Sequence, residues 1–497
     1  MAYTTAYLQA YSDSFIGKSA YPTDDTSIET LAACLRDERV VITGANQATQ
    51  VLIAHFLSKL TNFSSADLAK LNDSVRDLLL AYLAYDLELS GTIERILTAL
   101  RRSFLEELSS GHVLEGFALD LLAALATFCF STEYIFQETA EETIMLEALK
   151  PSSDVAHLAA VGCFTPLHGV EAAQGWLGRP VPNSYVRHML CVQILEPAEE
   201  RRLKSEIRSL SSVTNDTSAL VRAMYEENPF PRWTRYPVPL RDHAMTSANF
   251  DILVAGCGTG QHPLKTAIQN PSSRVFALDL SLTSLAYAAR KARAYGVSNV
   301  TFIHGDILEI EKLGMAFHHV SAVGVLHHMK NPEAGLEALL RVLLPGGQID
   351  LAVYSEIARG DIIAAIKLRE AGGFAPTLEG IRNFRQMVLH LPIDEPARKV
   401  KFIKEFSSVS GCRDLLFHVQ EHRLSLPTLS ELLRRHSLIV ADIVVPADVK
   451  AAFRNEFPTA AYNDLEAWAQ FEEKHPETFI SMYRVVAEKQ RSETAAL

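Results

Sequence analysis

Residues 252–261 read ILVAGCGTGQ, an apolar run that closes on three glycines. Glycine accepts unusual backbone angles and, having no side chain, lets a ligand come close to the main chain. The stretch therefore reads as a first β-strand feeding a nucleotide-type turn, Gly256-Cys257-Gly258-Thr259-Gly260, with Gln261 following. Its spacing is G-x-G-x-G, whereas the dinucleotide fingerprint is G-x-G-x-x-G, so the third glycine falls one residue early for NAD. The next apolar run, RVFALDL, ends in Asp279 and Leu280, with Asp279 nineteen residues after Gly260. A carboxylate there accepts hydrogen bonds from both ribose hydroxyls of an adenosine ligand, while an NADP enzyme would need a cation. A third run ends at Gly305-Asp306-Ile307, which places Asp306 to take an adenine amino group and Ile307 to cover the ring. Each signal alone is weak. In order, on successive strand ends, they are strong.

Further chemistry clusters outside these runs. His327 and His328 follow Gly324 at the end of a fourth run, with His304, His318 and His319 elsewhere in the same region. Successive strand residues point to opposite faces, so a metal shared by His327 and His328 is disfavoured, and one of them, His328, is expected to line a pocket. Phe417, His418, Gln420, Glu421 and His422 form a second group. A carboxylate flanked by histidines can orient an amine or act as a base, and the same cluster reads equally as a hydrogen-bonded hinge. Before the first strand stand Tyr225, Asn228, Arg232 and Trp233, with Pro229 and Pro231 stiffening the entry. Arg232 would pair with a cofactor carboxylate, or the segment is a plain linker with Trp233 in the core. Cys257 is a small residue inside the turn, not a nucleophile.

The elements that must position these residues follow from periodicity. Segments such as VRDLLLAYLAYDLEL (75–89) and TIERILTALRRSFLEEL (92–108) carry apolar residues at helical spacing, and no strands alternate with them. Near residue 250 the pattern changes to short β-branched runs separated by helices, the signature of a parallel sheet covered on both faces. After Tyr354 the chain is helical again and mildly basic. PTLSELLRRHS (427–437) then reads as a helix, and LIVADIVV (438–445) and TFISMYRVV (478–486) as two strands. At 497 residues two or three domains are expected, and the net charge of −12 argues against nucleic-acid binding. The six cysteines lack C-x-x-C spacing, and with no secretory leader the protein is expected to be cytoplasmic and reduced. The most apolar stretch, Phe117 to Phe130, is too short to span a bilayer and reads as a buried helix.

The loop AGCGTGQ, Asp279, the GD pair at 305–306, the run GVLHHM and the turn LLPGG (343–347) together resemble the class I S-adenosylmethionine-dependent methyltransferases. YEENPFPRW (225–233), FCFSTEYIF (128–136), QEHRLSLP (420–427) and FEEKHPETFISMY (471–483) narrow the resemblance. They are similar to bacterial methyltransferases, often linked to tetratricopeptide repeats, that include the rickettsial outer-membrane-protein lysine methyltransferases. Phe317-His318 and Ser321 depart from that group, where Phe-Asp and Glu would be expected, on what reads as the acceptor side.

The resemblance implies an α/β fold: a Rossmann-like sheet of seven strands, the last antiparallel. A helical N-terminal region (1–214, docking or dimerisation) precedes the core (215–356). A helical insertion (357–414) and the end of the core (415–497) follow. It implies S-adenosylmethionine as cofactor, bound through Gly256, Cys257, Gly258, Gly260, Gln261, Asp279, Leu280, Asp306, Ile307, Gly324 and Arg232, and released as S-adenosylhomocysteine. It implies direct methyl displacement onto a lysine amine of a protein substrate. His328, Tyr354, Tyr225, Phe417 and Glu421 would surround the acceptor, without metal, nucleic acid or transmembrane segment, in a chain that could form a homodimer. A small-metabolite acceptor and a catalytically silent S-adenosylmethionine-binding protein are the rival functions.

Overall fold

The computed structural model describes residues 4–37, 39–84, 89–210, 216–235 and 249–491. The chain divides into two compact units. One comprises Met1–Glu199, Arg232–Leu240 and Arg369–Leu415; the other comprises Glu200–Pro231, Arg241–Leu368 and Leu416–Leu497.

The second unit is built on one eight-stranded sheet. Its strands are β1 (Arg208–Ser209), β2 (Asp251–Ala255), β3 (Arg274–Asp279), β4 (Val300–His304), β5 (Phe317–Val323), β6 (Leu343–Val353), β7 (Leu438–Ile443) and β8 (Tyr483–Lys489). They lie in the order β1-β4-β3-β2-β5-β6-β8-β7. β8 runs antiparallel to both neighbours, and the pairings from β1 to β6 are parallel. Side chains from β2 and β3 are buried alternately on the two faces: Leu253, Ala255 and Leu278 in one core, Ile252, Val254, Val275 and Ala277 in the other. A strand buried on both faces has no need of polar alternation, which explains the unbroken apolar runs.

Three details differ from the sequence reading. An eighth strand, the two residues of β1, pairs with the edge of β4 inside what reads as helical sequence. LLPGG is not a free turn but lies within β6, where the register shifts so that Phe317 pairs with Leu343 and His319 with Gln348. The last strand starts at Tyr483, and helices Ala447–Glu456 and Leu465–Lys474 stand between β7 and β8. Phe453 and Trp468 stack across those helices with ring centroids 3.8 Å apart, so a compact aromatic core fills the connection.

The first unit is helical among the described residues. Gly116–Ser131 is the buried helix expected from its composition, its side chains from Leu121 to Phe130 lying inside the core. Helix Leu378–Leu389 belongs to this unit and is tied to it by buried charge. Arg385 donates to both carboxylate oxygens of Glu94 at 2.9 and 2.8 Å and to the Phe406 carbonyl at 2.8 Å. Arg382 donates to the carbonyl of Tyr134. That carbonyl sits in a turn where Glu133 and Tyr134 take left-handed angles (φ 57° and 60°), a conformation that a bulky side chain holds only under external constraint. None of the six cysteines forms a disulfide; five are buried and Cys191 is half-buried, at the head of a π-helical turn, Cys191–Leu195. No described helix is long and apolar enough to cross a membrane.

Candidate active site

Gly256, Gly258 and Gly260 have φ of 68°, 52° and 92°, all left-handed. Each also faces a neighbour at a distance that leaves no room for a side chain. A Cβ would come within 2.5 Å of Val325 at Gly256, 2.8 Å of the Phe230 carbonyl oxygen at Gly258 and 2.5 Å of Ala288 at Gly260. The turn is thus dictated by backbone angle and by packing together. Asp279, at the end of β3, holds its shape: Oδ2 accepts the Gly258 N–H at 2.7 Å and Oδ1 the Ser281 N–H at 2.8 Å. Burial pushes its carboxyl pKa up, and those two hydrogen bonds oppose the rise.

Cys257 is buried and its thiol pKa is pushed well up, which keeps it protonated. Gln261 opens helix Gln261–Gln269, and the Leu280 carbonyl lies 3.0 Å from Nε2 of His304. Asp306 caps the following 3-10 turn by accepting the Leu308 N–H at 3.0 Å, and Ile307 is buried in the sheet core. Gly324, at φ 76°, directly follows β5. Arg232 falls in the first unit, with its guanidinium 5.0 Å from the centroid of the Phe130 ring and 3.7 Å from Glu133. Trp233 is buried there, as the linker reading expects. Glu226 has no place in the sequence reading. Its carboxylate accepts the N–H groups of Leu282 (2.5 Å) and Thr283 (3.2 Å) and so caps helix Leu282–Ala294. Only the acidic pair before Asn228 hints at it.

The second cluster forms at the carboxyl ends of β5 and β6. His328 Nδ1 lies 2.8 Å from the Gln420 carbonyl. A carbonyl only accepts, so a neutral His328 carries its proton on Nδ1 and keeps a lone pair on Nε2. His418 accepts the Gln420 N–H on its own Nδ1 (3.1 Å), turns Nε2 to the Tyr225 hydroxyl (3.2 Å), and stacks on His328 with centroids 3.6 Å apart. Tyr354 lies against His327 at 4.0 Å, and the Arg359 guanidinium covers the tyrosine ring at 3.6 Å. Glu421 accepts from Arg359 at 2.8 Å and Arg423 at 3.0 Å, so it serves the hinge and has two cations in place of a substrate proton. Phe417 is buried. Main-chain bonds stitch the cluster together, from His422 to His327 (2.8 Å) and from Leu424 to Tyr354 (2.9 Å).

The two departures from the family pattern lie elsewhere. His318 stands at the amino end of β5 and accepts the Asp251 N–H at 3.2 Å, at the opposite end of the strand from His328. Ser321 is fully buried, 3.4 Å from Nε2 of His262. Of the histidines that tempt a metal reading, His304 and His318 have separate partners, at the Leu280 carbonyl and the Asp251 N–H. Glu333, Glu337 and His436 do bring three ligand atoms within 4.8 Å of one another, but Glu333 is already paired with Arg435 and His436.

Burial sets the charge of His327 and His328. It lowers the His328 pKa to about 4, with Arg359 and His422 acting in the same direction, and holds His327 well below its usual value. A histidine kept neutral in the fold but free to protonate when unfolded favours unfolding as pH drops from ~6.5 towards 4. For His328 alone the loss is about 3 kcal/mol across that window, on ~1.4 kcal/mol per pKa unit. Urea unfolding followed from pH 7 to pH 4 should show the decline, and His328→Gln should flatten it. An unchanged slope in that variant would mean that His328 is not held neutral.

Residues 252–347 match the family model of a methyltransferase domain. This segment of the chain is a methyltransferase domain. An uncharacterized protein of Synechococcus sp. is 28% identical over 261 residues, 47% of this chain and 60% of that protein. Demethylmenaquinone methyltransferase of Thermus thermophilus is 34% identical over 129 residues, 26% of this chain and 57% of the relative. The chain thus spans 60% and 57% of these two relatives. The structure of PKMT2 from Rickettsia typhi in complex with AdoHcy is 15% identical, with 56% of this chain and 53% of that chain covered and a TM-score of 0.37. Within the methyltransferase domain, Gly256 packs on Val325, so the glycine turn and the His327–His328 turn are two residues apart through one contact.

Proposed function

We propose that the protein transfers the methyl group of S-adenosylmethionine to the side-chain amine of a protein lysine. Gly256, Gly258, Gly260 and Asp279 hold the cofactor, and His328, Tyr354 and Tyr225 wall the acceptor channel. The observation that carries this reading is the burial of His327 and His328, which keeps both imidazoles uncharged beside the glycine turn. A lysine ammonium has a pKa of ~10.4 and attacks only after losing a proton. The environment that denies a proton to these histidines denies one to an entering amine, and so delivers it as a nucleophile. The nitrogen lone pair then forms the N–C bond while the C–S bond breaks, and sulfur keeps the electron pair. The methylated ammonium loses its proton afterwards, and in-line placement is the main catalytic demand.

A small-metabolite acceptor is the second reading. The fixed lone pair on Nε2 of His328 favours it, because that atom is suited to take a hydrogen bond from a hydroxyl. The Thermus relative, named a demethylmenaquinone methyltransferase, points the same way. The test is incubation of the purified protein with methyl-labelled S-adenosylmethionine and an extract of its source cells. Acid-precipitable label recovered as methyl-lysine is the expected result. Label confined to the soluble fraction would transfer the assignment to a metabolite. Cofactor binding without label in either fraction would make the protein a silent binder.

A further inference from the structure

We infer that His327 is a binding residue for the uncharged methyl acceptor, receiving a hydrogen bond from its N–H or O–H group; this rests on the methyltransferase reading above. The ring is wholly buried, and among the described residues neither nitrogen has a hydrogen-bond partner. It does not swing freely. Tyr354 and His328 hold it at centroid distances of 4.0 and 4.2 Å, and its own carbonyl accepts the His422 N–H. A buried donor and a buried acceptor left bare cost free energy, and an apolar ring of the same shape would serve the fold better. Packing therefore accounts for a ring at this position but not for its nitrogens.

The surroundings state what those nitrogens can receive. Arg359 and three other imidazoles, His328, His418 and His422, oppose a positive charge at His327. The carboxylate closest in sequence to this group, Glu421, is taken up by Arg359 and Arg423. A free amine or a hydroxyl finds a lone pair at an unprotonated ring nitrogen for its hydrogen. Accepting that hydrogen bond leaves the nucleophile's own lone pair directed elsewhere, and His327 takes no proton in the transfer. Its distance along the chain from Val325, which packs on Gly256, is two residues, so acceptor and cofactor turn are served by one short segment.

The experiment compares the full-length protein with His327→Phe and His327→Gln. It uses methyl-labelled S-adenosylmethionine, counts label in both protein and soluble fractions, and varies the amount of cell extract. For His327→Phe the expected result is an unchanged or raised Tm, cofactor affinity within about twofold, and labelling efficiency at limiting extract lowered by about tenfold or more. His327→Gln, which keeps a donor and an acceptor, should recover part of that loss. Full labelling by the Phe variant, a Phe variant that does not fold, or a Gln variant no better than Phe would each overturn the assignment. If the unsubstituted protein labels nothing, the methyltransferase reading itself fails and takes this one with it.

Discussion

Replacing Asp279 with alanine is expected to weaken S-adenosylmethionine binding by about 100-fold, measured by calorimetry on the purified chain. The size follows from two effects that share one side chain. In the free protein the carboxylate accepts backbone N–H groups from Gly258 and Ser281, one on each oxygen, and so fixes the glycine turn. Hydrogen bonds to a charged group contribute roughly 1.5–3 kcal/mol each, and a single loss at the upper end corresponds to two orders of magnitude in affinity. Removing the side chain also removes the group proposed to meet the ribose. Asp279→Asn, which retains one carbonyl acceptor, should fall between wild type and alanine. An alanine variant that binds within threefold of wild type would strip Asp279 of any ribose role.

The largest effect on stability is expected in the helical unit. Glu94→Ala should lower the unfolding free energy by about 3–5 kcal/mol, because it leaves Arg385 as a buried cation without its carboxylate. Arg385 and Glu94 are 1% and 4% exposed, and their two hydrogen bonds join residues 291 positions apart in sequence. Replacing both with apolar residues of similar volume, Arg385→Met with Glu94→Leu, should restore most of the loss, since the cost lies in the orphaned charge. Urea midpoints of the wild type and the two variants give the answer. A Glu94→Ala variant as stable as wild type would show that water reaches the pair.

The glycine turn and the aspartate that holds it were legible in the sequence because their signals are local. An apolar run, a glycine turn and an acidic strand end follow one another within thirty residues, and each obeys a short-range rule. The long-range facts were hidden for a physical reason. Nothing in the neighbourhood of Arg385 announces Glu94 as its partner, and nothing near Glu421 announces Arg359. Glu421 therefore reads as a base until its two arginines are seen. The strand Arg208–Ser209 is too short to leave a periodicity, and the bulge in β6 passes for a turn because Pro and Gly mark both. His327 and His328 are indistinguishable as letters. Only the geometry separates the one tethered to Gln420 from the one whose nitrogens stand bare.

The half-buried Cys191 has a practical side. The other five thiols are buried, and burial pushes those of Cys34, Cys163, Cys257 and Cys412 away from their reactive thiolate form. A maleimide dye added to the native chain should therefore settle first on one sulfur, at the π-helical turn of the helical unit. The unmodified protein comes with its own attachment point for a fluorescent reporter.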